Sequence, residues 1–95
     1  MTRKEILQKA DACVNGQREQ DYGSPEDNFA RIAAMWNIYL GSRGRLVDAM
    51  DVANMMALLK ICRIASGGGT DDCFVDLAGY AACGGELFGR KEIKE

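Results

Sequence analysis

Lys60 and Arg63 stand three residues apart in the most apolar stretch of the chain. Asp72 and Asp76 stand four apart, just beyond the triplet Gly67-Gly68-Gly69. On helices these spacings put each pair on one face, and two antiparallel helices joined by a tight glycine turn bring the four charges together. Asp76 lies within Phe74-Val75-Asp76-Leu77-Ala78, and a carboxylate among apolar neighbours needs a cation or several donors to stay ionised. Two arrangements meet that need. In one, the four groups form an ion-pair cluster that pins the turn, since cations are favoured at a helix C-terminus and anions at an N-terminus. In the other, Lys60 and Arg63 bind a phosphate-type anion while Asp72 and Asp76 orient them or hold Mg²⁺.

A second group lies earlier. Asp21-Tyr22-Gly23 sits in a polar loop whose own packing does not require a tyrosine; such a ring either stacks on a base or covers the end of a bundle. Asn28 and Arg31, three apart beside an apolar stripe, reach the same end and add donors. The glycine triplet is not a phosphate loop, because it follows a helix and no Gly-Lys-Ser/Thr comes after it. Met50, Met55 and Met56 read as core or interface filler.

The elements that must position these residues are four helices, spanning about 3–15, 25–40, 49–65 and 71–88 of a single domain over 1–95. Thr2-Arg3-Lys4-Glu5 is a capping box, and Asn15-Gly16 is expected to end the first helix with a left-handed glycine. Ser24-Pro25-Glu26-Asp27 combines a serine cap, a proline at the first helical position and two acids at the positive end. Phe29, Ile32, Ala33, Trp36 and Leu40 then mark the inner face of the second helix. Asp48 and Asp51 cap the third, which is apolar nearly all round from Val52 to Ile64 and is therefore expected to be the buried centre of the fold. In the last helix the expected inward positions are Phe74, Leu77, Ala78, Ala81, Gly85 and Phe88, with Gly89 as the stop. Its glycines weaken it in isolation, so close packing against a neighbour has to compensate.

Composition narrows the function classes. The 95 residues are 47% hydrophobic and 27% charged with a net charge of −2, which suits one compact all-α four-helix domain. A chain this short leaves much surface wet, so a homo-oligomer is expected. No apolar run reaches the roughly 18 to 20 residues of a membrane span, and the first residues lack a signal core, so no membrane partner and a cytoplasmic location are expected. The absence of histidine removes the commonest general base. Interspersed charges offer no basic stripe to duplex nucleic acid. Cys13, Cys62, Cys73 and Cys83 show no CxxC pair and read as reduced core residues.

Three segments carry a resemblance: Asp21 to Ile32 with Trp36, Asp51-Val52-Ala53 with Lys60-Ile61-Cys62-Arg63, and Asp76-Leu77-Ala78-Gly79-Tyr80. They resemble a family of short phage and prophage proteins with the pattern DYGxPExNFxRIAxxW, DVAxMMxLLKIxR and DxxxDxAGYA, over roughly residues 5 to 88. More distantly, the order of a DYG loop, a K-x-x-R helix and a late helix carrying Asp72, Asp76 and Tyr80 is similar to phage nucleotide-modification-associated proteins. It is also similar to the MazG-like all-α nucleotide pyrophosphohydrolases, which hold Mg²⁺ on an E-x-x-E and an E-x-x-D helix to activate water. The first of those motifs is missing here, and Asp48-x-x-Asp51 has the spacing of the second at a helix cap. The resemblance implies a binder of a nucleotide or nucleotide-derived signal that sequesters it without catalysis, as a phage counter-defence. Tyr22, Asn28, Arg31, Lys60, Arg63 and Tyr80 are its expected ligand contacts, and Asp72 and Asp76 its expected metal contacts. The alternatives are a Mg²⁺-dependent pyrophosphohydrolase and a ligand-free interaction protein.

Overall fold

The computed structural model describes residues 1–16, 23–41 and 46–94, with side chains as far as Arg90. Its helices are α1 (Arg3–Asn15), α2 (Pro25–Leu40), α3 (Ala49–Ala65) and α4 (Asp71–Lys94), and the described residues contain no strand. No described helix is long and apolar enough to cross a membrane.

Local chemistry sets the helix starts. Before α1, the Thr2 hydroxyl oxygen accepts from the Glu5 N–H at 3.2 Å while the Glu5 carboxylate accepts from the Thr2 N–H at 3.1 Å. Asp48 and Asp51 repeat this reciprocal exchange before α3, at 2.9 Å in both directions. Ser24 accepts from the Asp27 N–H with Pro25 opening α2. Each device satisfies backbone donors that a helix N-terminus leaves unpaired.

One expected stop has a different cause. Gly16 has φ −100° rather than a left-handed conformation, but a Cβ there would lie 2.4 Å from the carbonyl oxygen of Ala12. The position needs glycine for space. Gly41 does take positive φ, at the end of α2. Gly89 does not stop α4, which continues to Lys94; Arg90 bridges both Glu86, one turn back, and Glu26 on α2, offsetting the weak helix propensity of glycine.

Packing alters the expected centre. α1 and α3 both lie along α4, which α2 also touches, so α4 is the shared helix. The core is Phe29 and Ala33 of α2 against Val52 and Ala53 of α3, with Ile32, Trp36, Met56 and Tyr80 around it. Val52 and Ala53 are fully buried, as a central third helix requires, but Met55, Leu58, Leu59 and Ile61 are 44, 63, 41 and 49% exposed. The reason is geometric. Among the described helices, neighbours pack chiefly on two sides of α3, since α1 sits mainly against α4. The inner face of α4 is also shifted: Cys73, Val75, Gly79 and Gly84 are buried, whereas Phe74, Ala81, Gly85 and Phe88 are exposed. Glycine locates the contacts, for a Cβ on Gly79 would meet Val14 of α1 at 3.3 Å and one on Gly84 would meet Asn54 and Ala53 of α3 at 3.4 and 3.5 Å. Of the cysteines, all free, Cys73 is buried and Cys83 half-buried, but Cys13 and Cys62 are exposed rather than core.

The segment leading into α3 is held by one side chain. Asn37 of α2 donates to the Val47 carbonyl oxygen at 2.9 Å and accepts from the Val47 N–H at 2.8 Å, supplying a partner for a backbone that has no helix of its own. Asn37→Ala removes both bonds and is expected to lower stability by about 1–3 kcal/mol in urea denaturation.

The α1 cap titrates. Hydrogen bonds from the Thr2 N–H and hydroxyl hold the Glu5 carboxyl below its ordinary 4.5, assisted by the amino terminus and Lys9. A depressed folded-state pKa stabilises above the unfolded value and is lost as the pH falls through the folded one. Thermal melts across pH should therefore show wild type above Glu5→Gln at pH values higher than 4.5, with the two converging as acid titrates Glu5.

Candidate functional site

An open cavity of about 670 Å³ lies among α1, the first turns of α2, the later half of α3 and α4. Its size is that of a small-molecule site. Lys60 enters from α3, carried on a stem that lies along the helix's inner side, so that its side chain is only 12% exposed. Its Nζ is 2.9 Å from Oδ2 of Asp76 on α4. Both residues line the cavity. The pair thus joins α3 to α4 and also presents charge to the opening.

The opposite wall comes from α2. The Ser24 cap and Pro25 place the positive end of the helix dipole at the cavity. Asn28 and Arg31 follow on the same side, and neither side chain has a hydrogen-bond or ion-pair partner among the described residues. They flank Phe29, which is buried and whose ring meets that of Tyr80 at 5.9 Å with a 43° tilt. Tyr80 stands in the wall as a result. Gly79 and Val14, in contact across the α1–α4 approach, line it as well.

Asn28, Arg31, Lys60, Asp76 and Tyr80 therefore converge, although they come from three helices. Arg63 and Asp72 do not. Both are exposed and lie outside the cavity lining, so the four-charge cluster over the glycine turn reduces to the single Lys60–Asp76 pair. Lys60 meets Asp76 more than a full turn inside both helices, which leaves Arg63 and Asp72 nearer the helix ends, where both are exposed. No group of three or more cysteine, aspartate or glutamate side chains lies close enough to share a metal among the described residues. Tyr22 lies outside the described residues. The sequence reading missed Cys13, Ser24 and Cys83 as lining residues. Ser24 was legible only as a helix cap, and the cysteines were read as core residues.

Electrostatically, the described lining holds two cations, Arg31 and Lys60, against one carboxylate, Asp76. With the positive end of α2 added, the opening favours an anion. Arg31 offers a planar fork suited to phosphate or carboxylate, and Tyr80 offers a ring.

The family model described as Domain of unknown function (DUF6378) matches residues 5–88. The chain is 49% identical over 76 residues to the Gene 55 protein of Mycobacterium phage L5, covering 80% of this chain and 47% of that protein. It is 41% identical over 78 residues to the Gene 55 protein of Mycobacterium phage D29, covering 82% and 50% respectively. The chain thus spans about half the length of the curated relatives it matches. No solved structure matches it.

The ion pair makes a prediction independent of any ligand. Asp76→Asn leaves a largely buried ammonium without its carboxylate and should destabilise by about 1–3 kcal/mol, below the full cost of a buried pair because Asp76 is 40% exposed. The double variant Lys60→Met/Asp76→Leu should recover most of that loss in chemical denaturation.

Proposed function

This chain belongs to the family described as Domain of unknown function (DUF6378), and we propose that it binds a nucleotide or nucleotide-derived signal in the α1–α4 cavity and holds it without turning it over. The observation that carries the reading is the meeting of Arg31, Lys60, Asn28 and Tyr80 with the positive end of α2 around one opening of about 670 Å³.

Each group has a part that its chemistry suits. Arg31 grips phosphate oxygens through two parallel N–H donors, and Lys60 adds a point charge deeper in the cavity. The first turn of α2 supports the same anion with its dipole. Tyr80, braced by Phe29, packs against a base or sugar, and the Asn28 amide donates to or accepts from whichever edge faces it. Holding rather than hydrolysing is favoured because Asp76, the carboxylate of the described lining, is engaged with Lys60 and so is poorly placed to carry Mg²⁺ against a phosphate. Family members in two mycobacteriophages fit a role for a phage: a small cage of this kind would remove a nucleotide signal used by its host in defence.

The test is a panel of mono-, di- and cyclic nucleotides at up to millimolar concentration, read by thermal shift and then by calorimetry. At least one should raise the melting temperature, and Arg31→Ala should weaken its binding about 10-fold or more, the loss expected for a charge-assisted bidentate contact. No shift across the panel would defeat the reading. Release of phosphate or pyrophosphate with Mg²⁺ or Mn²⁺ would replace sequestration by hydrolysis.

A further inference from the structure

Along α3, Met55, Leu58, Leu59 and Cys62 recur at i, i+3, i+4 and i+7, which is one face of a helix. All four are exposed, Leu58 most of all at 63%. This face is not the one that carries Lys60 to the cavity. No charged residue occurs between Asp51 and Lys60, so the strip is continuous apolar surface on the helix with the most apolar sequence.

The chain as a whole leaves more surface uncovered than a compact monomer of its mass. The chain exposes 6840 Å², whereas a compact monomer of 10.4 kDa exposes about 5,400 Å². The surplus of roughly 1,400 Å² belongs to the whole chain, Met35, Ile38 and Tyr39 of α2 included, and the α3 face is one part of it; a standard interface takes ~800 Å² from each partner.

We infer that the occupant of this face is a second copy of the chain, with the two α3 helices antiparallel about a two-fold axis that passes between Leu58 and Leu59. The spacing is self-complementary in that orientation. Leu58 of one copy faces Leu59 of the other and Met55 faces Cys62, as an isologous interface requires. Charge supports the same direction. The acidic start of α3, with Asp48 and Asp51, comes to lie by the end that carries Arg63, and the two helix dipoles oppose.

Sedimentation of the chain through the micromolar range should give twice the 10.4 kDa monomer mass, and Leu58→Asp, with unchanged helical circular dichroism, should sediment as a monomer. Register is tested separately in a Cys13→Ser background. There, Met55→Cys should form a disulfide-linked dimer on mild oxidation through native Cys62 of the other copy, and adding Cys62→Ser should abolish it. A monomer throughout the range overturns the proposal and leaves the face to a partner of different sequence. A dimer that is indifferent to Leu58→Asp, or that never cross-links through position 55, overturns the assigned surface or its direction. The cross-link is formed without charge substitution, so it decides the question even if Leu58→Asp fails to fold.

Discussion

The close approach of α3 and α4 is the constraint on which the rest of the molecule depends. At one end Gly84 faces Ala53 and Asn54, and a Cβ there would lie 3.5 and 3.4 Å from them, in ordinary contact. Toward the other end the approach is fastened by the 2.9 Å contact between Lys60 and Asp76. The two helices are thus in close contact at a glycine and fastened by an ion pair, and the alignment of what α4 carries follows from the two. Tyr80 and Asp76 lie within that span. Their positions relative to Lys60 follow from it.

The cavity is the consequence of placing α1 and α2 on that pair without filling the space between them. α1 approaches α4 where Gly79 admits Val14, and α2 approaches through Phe29 on Tyr80. Both contacts are narrow. A helix of 13 residues and the first turns of another cannot cover the interval with side chains as small as cysteine, valine, serine and asparagine, and an opening remains. Polar groups are tolerated there because water or a ligand can reach them, whereas in the packed core every buried polar side-chain atom of the described residues has a partner.

Much of the candidate site was legible in outline. Asn28 and Arg31 stood beside a clear apolar stripe and had to emerge at its edge, and Lys60 interrupted an apolar run whose inner face could take its stem. Arg63 and Asp72 lie outside the cavity lining for one physical cause: spacing places residues on a face of their own helix but does not say how far along the partner helix they meet. The face of α4 was misread for a related reason. Phe74, Ala81 and Phe88 follow a good helical stripe, yet the glycines one step round the helix permit a closer approach, and backbone proximity prevailed over side-chain size.

By itself, the amino-acid sequence determined the helices and where they begin, because capping by Thr2, Ser24 and Asp48 involves groups within three residues of one another. It also determined that the third helix would be apolar on nearly every side. Only the tertiary structure decided which of those sides is covered. An apolar helix can be packed from several directions, and the choice rests on where distant segments come to lie: α4 and α2 take two faces of α3, and the face of Leu58 is left open.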